Sequence, residues 1–273
     1  MALYITSLNS GSNGNCYYVG NERDAVLIDA GISCRETETR MKRLGLSMQK
    51  VRAIFVSHEH SDHIRGVEVL SKKYSIPVYI TSLTLKHGGL VLNETLVQPF
   101  NAQQAINIGA ITITAFKKLH DAVEPHSFMV SADGINVGVF TDIGSVCDNV
   151  IHHFGQCHAA FLEANYDEVM LENGRYPYHL KRRIRGGYGH LSNTQALALF
   201  IDHKPDWMSH LLLAHLSKDN NCPTLVHNLF NTHARGTEVI VASRFEETPV
   251  YYITMPGHLP MQRTVENAQF SLF

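Results

Sequence analysis

The sequence predicts a single mixed α/β (α+β) domain in which two mixed β-sheets pack face to face with helices outside them. Short apolar strands alternate with helical segments, and the scheme from Ala159 onward repeats the one before it. A chain of 273 residues that is 44% hydrophobic and 18% charged is long enough to bury a large two-layer core. No linker, low-complexity tract or charge block divides it.

The elements follow in order. Tyr4-Ile5-Thr6, Tyr17-Tyr18-Val19 and Ala25-Val26-Leu27-Ile28, with the turn Gly11-Ser12-Asn13-Gly14-Asn15 among them, read as a β meander. Asp29-Ala30-Gly31 ends it, and a helix is expected over 35–44. Strands are expected at 53–56, 78–81, 111–116, 127–130 and 136–141, with a helix-like stretch at 67–73. The second round runs strand 159–162, helix 193–201, strand 210–214, helix 224–232 and strand 238–242. Residues 1–245 are read as one domain and 246–273 as a C-terminal strand and tail.

Composition narrows the function. A net charge of -2 gives no global attraction to nucleic acid, so any such binding must come from a local patch. Cys16, Cys34, Cys147, Cys157 and Cys222 are scattered without a CxxC pair, which suits free thiols in a reducing compartment. The N-terminus enters a strand directly, and no apolar run approaches the ~20 residues of a membrane span. The expectation is a cytoplasmic protein without a membrane partner.

The densest chemistry lies in His58-Glu59-His60-Ser61-Asp62-His63, entered by apolar Ala53-Ile54-Phe55-Val56. Three imidazoles and a carboxylate in six residues make poor core and a good metal site, because alternate residues of an extended backbone point to opposite sides. A solvated His-rich loop is the bland alternative. His120, Asp142 and His215 each follow an apolar strand, where rigid elements deliver side chains to one shared rim. Taken singly, each would be an ordinary rim residue.

These motifs together resemble the metallo-β-lactamase superfamily from Asp29 to His215. The resemblance implies a four-layer αββα sandwich. It implies one metal held by His58, His60 and His120, a second held by Asp62, His63 and His215, and Asp142 bridging them. Asp29 matches the aspartate that orders the triplet loop. Leu162-Glu163-Ala164 and Gly189-His190-Leu191-Ser192 are similar to the RNase Z pattern. Asn9-Ser10-Gly11-Ser12-Asn13-Gly14-Asn15, His120-Asp121-Ala122, Gly189-His190-Leu191-Ser192-Asn193 and His215-Leu216-Ser217-Lys218 match more closely the YycJ (WalJ, VicX) group of exonuclease-like proteins. His126 stands where that group is expected to carry Gly.

The chemistry so implied is a metal-dependent hydrolase that cuts phosphodiesters, most simply a DNA exonuclease. Two divalent ions about 3.5–4 Å apart can share and acidify a hydroxide and neutralise an in-line phosphoryl transition state. Nitrogen and oxygen donors favour Zn²⁺, with Mn²⁺ or Fe²⁺ as alternatives. Asp62, His190 and Glu163 are the catalytic candidates, His190 as proton donor to the leaving oxygen and Glu163 as its orienting partner. Ser192-Asn193-Thr194-Gln195 has the form of a capping box, and a helix N-terminus beside His190 is a natural phosphate seat. Lys181, Arg182, Arg183 and Arg185 precede two glycines and read either as a backbone-tracking loop or as a plain solvated one. The alternatives are an RNase Z-like RNA nuclease, a small cyclic-phosphodiester hydrolase like the PhnP group, a glyoxalase-type thioester hydrolase, and a non-enzymatic metal-bound regulatory or scaffold protein.

The chain ends Gln269-Phe270-Ser271-Leu272-Phe273. With Gln269, Phe270, Leu272 and Phe273 it looks like the bacterial sliding-clamp-binding motif; the competing reading is a tail docked on its own domain.

Overall fold

Apolar residues occupy both faces of the central strands, the pattern of sheets covered on two sides. The structure, a computed structural model, describes residues 2–255; Gln269, Phe270, Leu272 and Phe273, and the clamp reading they carry, lie outside the described residues. The first sheet takes β1 (Leu3–Asn9), β2 (Cys16–Gly20), β3 (Ala25–Ile28), β4 (Val51–Phe55), β5 (Val78–Tyr79) and β6 (Val97–Gln98) in chain order. The second takes β7 (Ala105–Ile108), β8 (Ile111–Lys117), β9 (His126–Ala132), β10 (Ile135–Phe140), β11 (Ala159–Glu163), β12 (His210–Ala214) and β13 (Glu238–Val241). Each sheet begins as an antiparallel meander and continues in parallel, from β3 in the first and β10 in the second. Finally β14 (Tyr251–Ile253) returns to the first sheet and pairs antiparallel with β1.

Side chains alternate across the pleat, so each strand feeds two cores. Val26, Ile28 and Phe55 meet Phe128, Val137, Phe161 and Leu212 between the sheets. On the outer side of the first sheet, Leu27 and Ile54 pack with Met41 of α1 (Cys34–Arg43). The short α2 (Ser61–Ile64) and the longer α3 (Val67–Tyr74) follow the triplet, and Leu70 of α3 joins the same outer core. After α4 (Ser82–Gly88), the outer side of the second sheet is covered by α5 (Asp148–Phe154), α8 (Asn193–His203) and α9 (Pro223–Asn231), while α6 (Glu168–Asn173) and α7 (Tyr178–Ile184) pack through Leu171 and Ile184 with Tyr166 in a separate small cluster. Phe154, Phe200 and Phe230 pack there against Leu162 and Leu211. The layers are therefore helix, sheet, sheet, helix.

Two local differences from the sequence reading have simple causes. The segment Lys181–Ile184, expected as loop, is the end of α7; Lys and Arg are good helix formers and the glycines stop it only after Arg185. The hairpin strand β7 has no counterpart in the sequence reading, because its pattern of exposed and half-buried residues carries little apolar signal. Among the described residues no helix is long and apolar enough to cross a membrane.

Candidate metal centre

The carboxyl ends of the parallel strands share one rim, the general position for ligand sites in such sheets. Three residues that follow them leave the strand in the left-handed region: Asp29 at φ 60°, Asp142 at φ 55° and His215 at φ 55°. That conformation costs roughly 1–2 kcal/mol for a residue with a Cβ. It turns the chain sharply off the strand and aims each side chain across the rim. The triplet loop is seated on the turn after β3. Ala30 N–H donates to His63 O (2.9 Å), Gly66 N–H to Ala30 O (2.7 Å) and Asn15 N–H to Asp62 O (2.7 Å). A Cβ on Gly31 would lie 1.6 Å from Asp62 O, so only glycine fits there.

Four of the imidazoles are tied to the fold through Nδ1. His63 Nδ1 lies 2.7 Å from Asp29 Oδ2, His215 Nδ1 2.9 Å from Glu163 Oε1, His120 Nδ1 3.0 Å from Gly189 O, and His58 Nδ1 2.8 Å from Ser57 Oγ. A carboxylate or carbonyl beside Nδ1 keeps the proton there and leaves the Nε2 lone pair for a cation. Those Nε2 atoms converge. Donor atoms of His58, His60 and His120 lie within 4.8 Å of one another, as do those of Asp62, His63 and His215. Asp142 falls into one such group with His58 and His63 and another with His215, Glu163 and His190.

Whether these residues fit divalent ions is tested by what they lack. His120 Nε2 and His215 Nε2 are buried without a hydrogen-bond partner, and the buried Asp142 Oδ2 faces His63 Nε2 at 3.1 Å. Such orphaned groups cost about 1–3 kcal/mol each, and cations among them remove that cost. The charges agree. Burial opposes charging of His63, yet Asp142, Asp29 and Asp62 outweigh it and raise its pKa to about 10. His215 is raised for the same reasons by Asp142, Asp62 and Glu163. Burial alone would raise Glu163, but His190 and His215 hold it down at about 2. A rim this acidic draws positive charge, as protons or as metal.

His190 sits at this rim with Nδ1 2.8 Å from Glu163 Oε1 and 3.8 Å from Asp142 Oδ1. Its loop is closed by His190 N–H donating to Ile184 O (2.8 Å). Of the cations, Lys181 and Arg185 fold back on Glu172, and Arg183 pairs with Asp121. Arg182 is exposed. Ser192 and Asn193 are buried: the Ser192 hydroxyl accepts from Gln195 N–H in a complete capping box, and Asn193 forms a reciprocal amide pair with Asn221. Their side-chain polar groups are therefore engaged within the fold. His126 is buried off the metal rim, where His126 N–H donates to Ser57 O (3.0 Å) and ties the triplet loop to β9.

Several supporting residues had no assignment in the sequence. The Asn15 amide lies 3.1 Å from both Asp62 Oδ2 and His63 Nε2. The Asn165 amide donates to His215 O (2.7 Å), and the buried Lys118 ammonium donates to Thr141 O (2.6 Å), beside Asp142. Asn15 lies in a quoted motif and could have been found there; Asn165 and Lys118 give no signal by spacing.

Residues 24–215 match the β-lactamase superfamily domain. Fold, rim and match agree on a class: the chain belongs to the metallo-β-lactamase superfamily of hydrolases. It is 37% identical over 230 residues to exodeoxyribonuclease YycJ of Bacillus anthracis, covering 82% of this chain and 86% of that protein. It is 33% identical over 226 residues to exodeoxyribonuclease WalJ of Streptococcus pneumoniae, covering 81% and 84%. The crystal structure of the metallo-β-lactamase fold protein YhfI from Bacillus subtilis superposes with a TM-score of 0.72 over 92% of this chain and 100% of that one, at 17% identity. That last likeness shows the fold alone.

Proposed function

We propose that this chain is a dinuclear metal-dependent phosphodiesterase that removes nucleotides from DNA ends. The observation that carries the reading is the set of imidazoles whose Nδ1 atoms are tied outward while their Nε2 atoms converge on Asp142. His58, His60 and His120 would hold one ion and Asp62, His63 and His215 the other, with Asp142 shared. Bound divalent ions, Zn²⁺ first and Mn²⁺ or Fe²⁺ next, supply Lewis acidity to the phosphate and to the attacking water. Asp29 and Ser57 fix the triplet loop. Glu163 keeps the His190 ring in place through Nδ1, which leaves Nε2 to carry the proton to the leaving oxygen. Similarity to two exodeoxyribonucleases over most of the chain supports DNA as the substrate.

The test is chelation and reloading. Protein stripped of metal is expected to leave end-labelled, 5′-phosphorylated DNA intact, and reloading with Zn²⁺ or Mn²⁺ to restore stepwise shortening whose polarity the label reports. Two bound metals with intact DNA and degraded RNA would replace the DNA reading with an RNA nuclease. Arg182, an exposed cation of α7, should contact backbone phosphate. Arg182→Glu is then expected to weaken single-strand binding and flatten its log–log salt slope by about 0.7, the share of one phosphate contact. An unchanged slope would leave Arg182 as a solvated surface charge.

A further inference from the structure

Three segments that carry rim residues meet beside the metal centre. Gly144, two residues after Asp142, donates N–H to Leu119 O, next to His120 (2.6 Å). Ser145 Oγ donates to Gly187 O (2.8 Å), and His120 Nδ1 donates to Gly189 O (3.0 Å). Tyr188 lies between those two glycines. Its backbone is pressed so closely on Gly144 that a Cβ there would come 2.4 Å from Tyr188 Cα. Gly189, next in the chain, is buried, and a Cβ on it would lie 2.1 Å from Ile184 O. The backbone of Tyr188 is thus fixed on both sides, yet its side chain is left 62% exposed.

That leaves an exposed aromatic ring two residues from His190, on a backbone anchored to the segments that carry Asp142 and His120. The rest of the segment 178–190 has matching chemistry. Tyr178, 69% exposed, opens α7, and the Arg185 guanidinium lies 5.9 Å from its ring centroid. Arg182 is exposed on the same helix. Aromatics interleaved with cations are the composition of a single-strand platform, where bases stack and phosphates meet positive charge.

From this placement we propose that Tyr188 stacks on the unpaired base of the terminal nucleotide as its phosphodiester enters the metal centre. This rests on the nuclease reading above and deepens it: the substrate class becomes a strand end whose last base is free to leave its pair. Stacking requires a π-face and no particular base, so DNA and RNA ends share the chemistry.

The experiment uses the metal-loaded full chain and single-stranded oligonucleotides, as DNA and as RNA, that end either in a normal nucleotide or in a tetrahydrofuran residue without a base. Tyr188→Ala is expected to raise KM on the normal strand roughly 5- to 150-fold, the range of base–aromatic stacking, while Tyr188→Phe stays near the parent. On the baseless end the parent and Tyr188→Ala should perform alike. Equal loss on both ends, or no loss on either, would overturn the stacking role while the nuclease reading stands. Failure of the parent to shorten DNA or RNA would remove both.

Discussion

Replacing Glu163 by glutamine is expected to lower turnover on single-stranded DNA by roughly 10²–10⁴-fold and to weaken the second metal by roughly 10–100-fold. The carboxylate is fully buried and accepts on both oxygens. Oε1 faces His190 Nδ1 at 2.8 Å and His215 Nδ1 at 2.9 Å; Oε2 accepts from Ile143 N–H at 2.8 Å and Leu191 N–H at 3.1 Å. Every partner is a donor. A glutamine amide must therefore set its own N–H₂ against donors whichever way it turns. Facing the backbone, it orphans two N–H groups in a dry site. Facing the rings, it drives a proton from Nδ1 to Nε2, the nitrogen a metal needs on His215. His190→Ala is the discriminating partner. It should lose turnover on a similar scale while keeping both metals, because His190 is outside the two proposed ligand triads. Metal analysis beside single-turnover rates checks the pair. A Glu163→Gln protein with a full complement of metal and parental rate would dismiss Glu163 from both tasks.

That double duty marks the boundary of what the sequence discloses. The ligand-type residues are legible because a metal needs particular atoms at particular spacings, and strands that end in His or Asp advertise a rim. The layers are legible for a similar reason: the unbroken apolar runs at 25–28 and 159–162 require cover on both faces. Glu163 could be paired with His190 from motifs, but its bond to His215 joins residues far apart in the chain and leaves no periodicity. Asn165 and Lys118 are hidden likewise, since an amide or ammonium that satisfies a carbonyl looks like any surface residue until the fold buries it. The charge of the basic stretch at 181–185 does not distinguish a loop from the last turn of a helix. Nor does charge reveal that Arg183 is taken by Asp121 and Lys181 and Arg185 by Glu172. The pairing of β14 with β1 joins the two ends of the described chain, a contact that local pattern cannot predict.

Asp29→Ala is expected to destabilise the protein by roughly 3–5 kcal/mol, the usual penalty for breaking a buried charged pair. Asp29 is fully buried. Its Oδ1 accepts from Ser57 N–H at 2.8 Å, and its Oδ2 accepts from Ser57 Oγ at 2.8 Å and from His63 Nδ1 at 2.7 Å. Alanine removes all three acceptor contacts at once and leaves the His63 ring without the partner that fixes its proton. It also holds φ near 60°, which alanine tolerates poorly and asparagine tolerates well. Asp29→Asn therefore separates support of the fold from support of the metal. Its side-chain oxygen can still take the Ser57 N–H, and its backbone suits the turn, so most stability should survive. Its amide, however, then faces His63 Nδ1 and the Ser57 hydroxyl, so the ring loses its carboxylate and the affinity of the site around His63 should fall roughly 10–100-fold. Thermal unfolding and metal titration of the two variants check this order. If Asn and Ala lose equal stability, the carboxylate's charge holds the fold here; if both keep parental metal affinity, the Asp29–His63 bond has no part in the site.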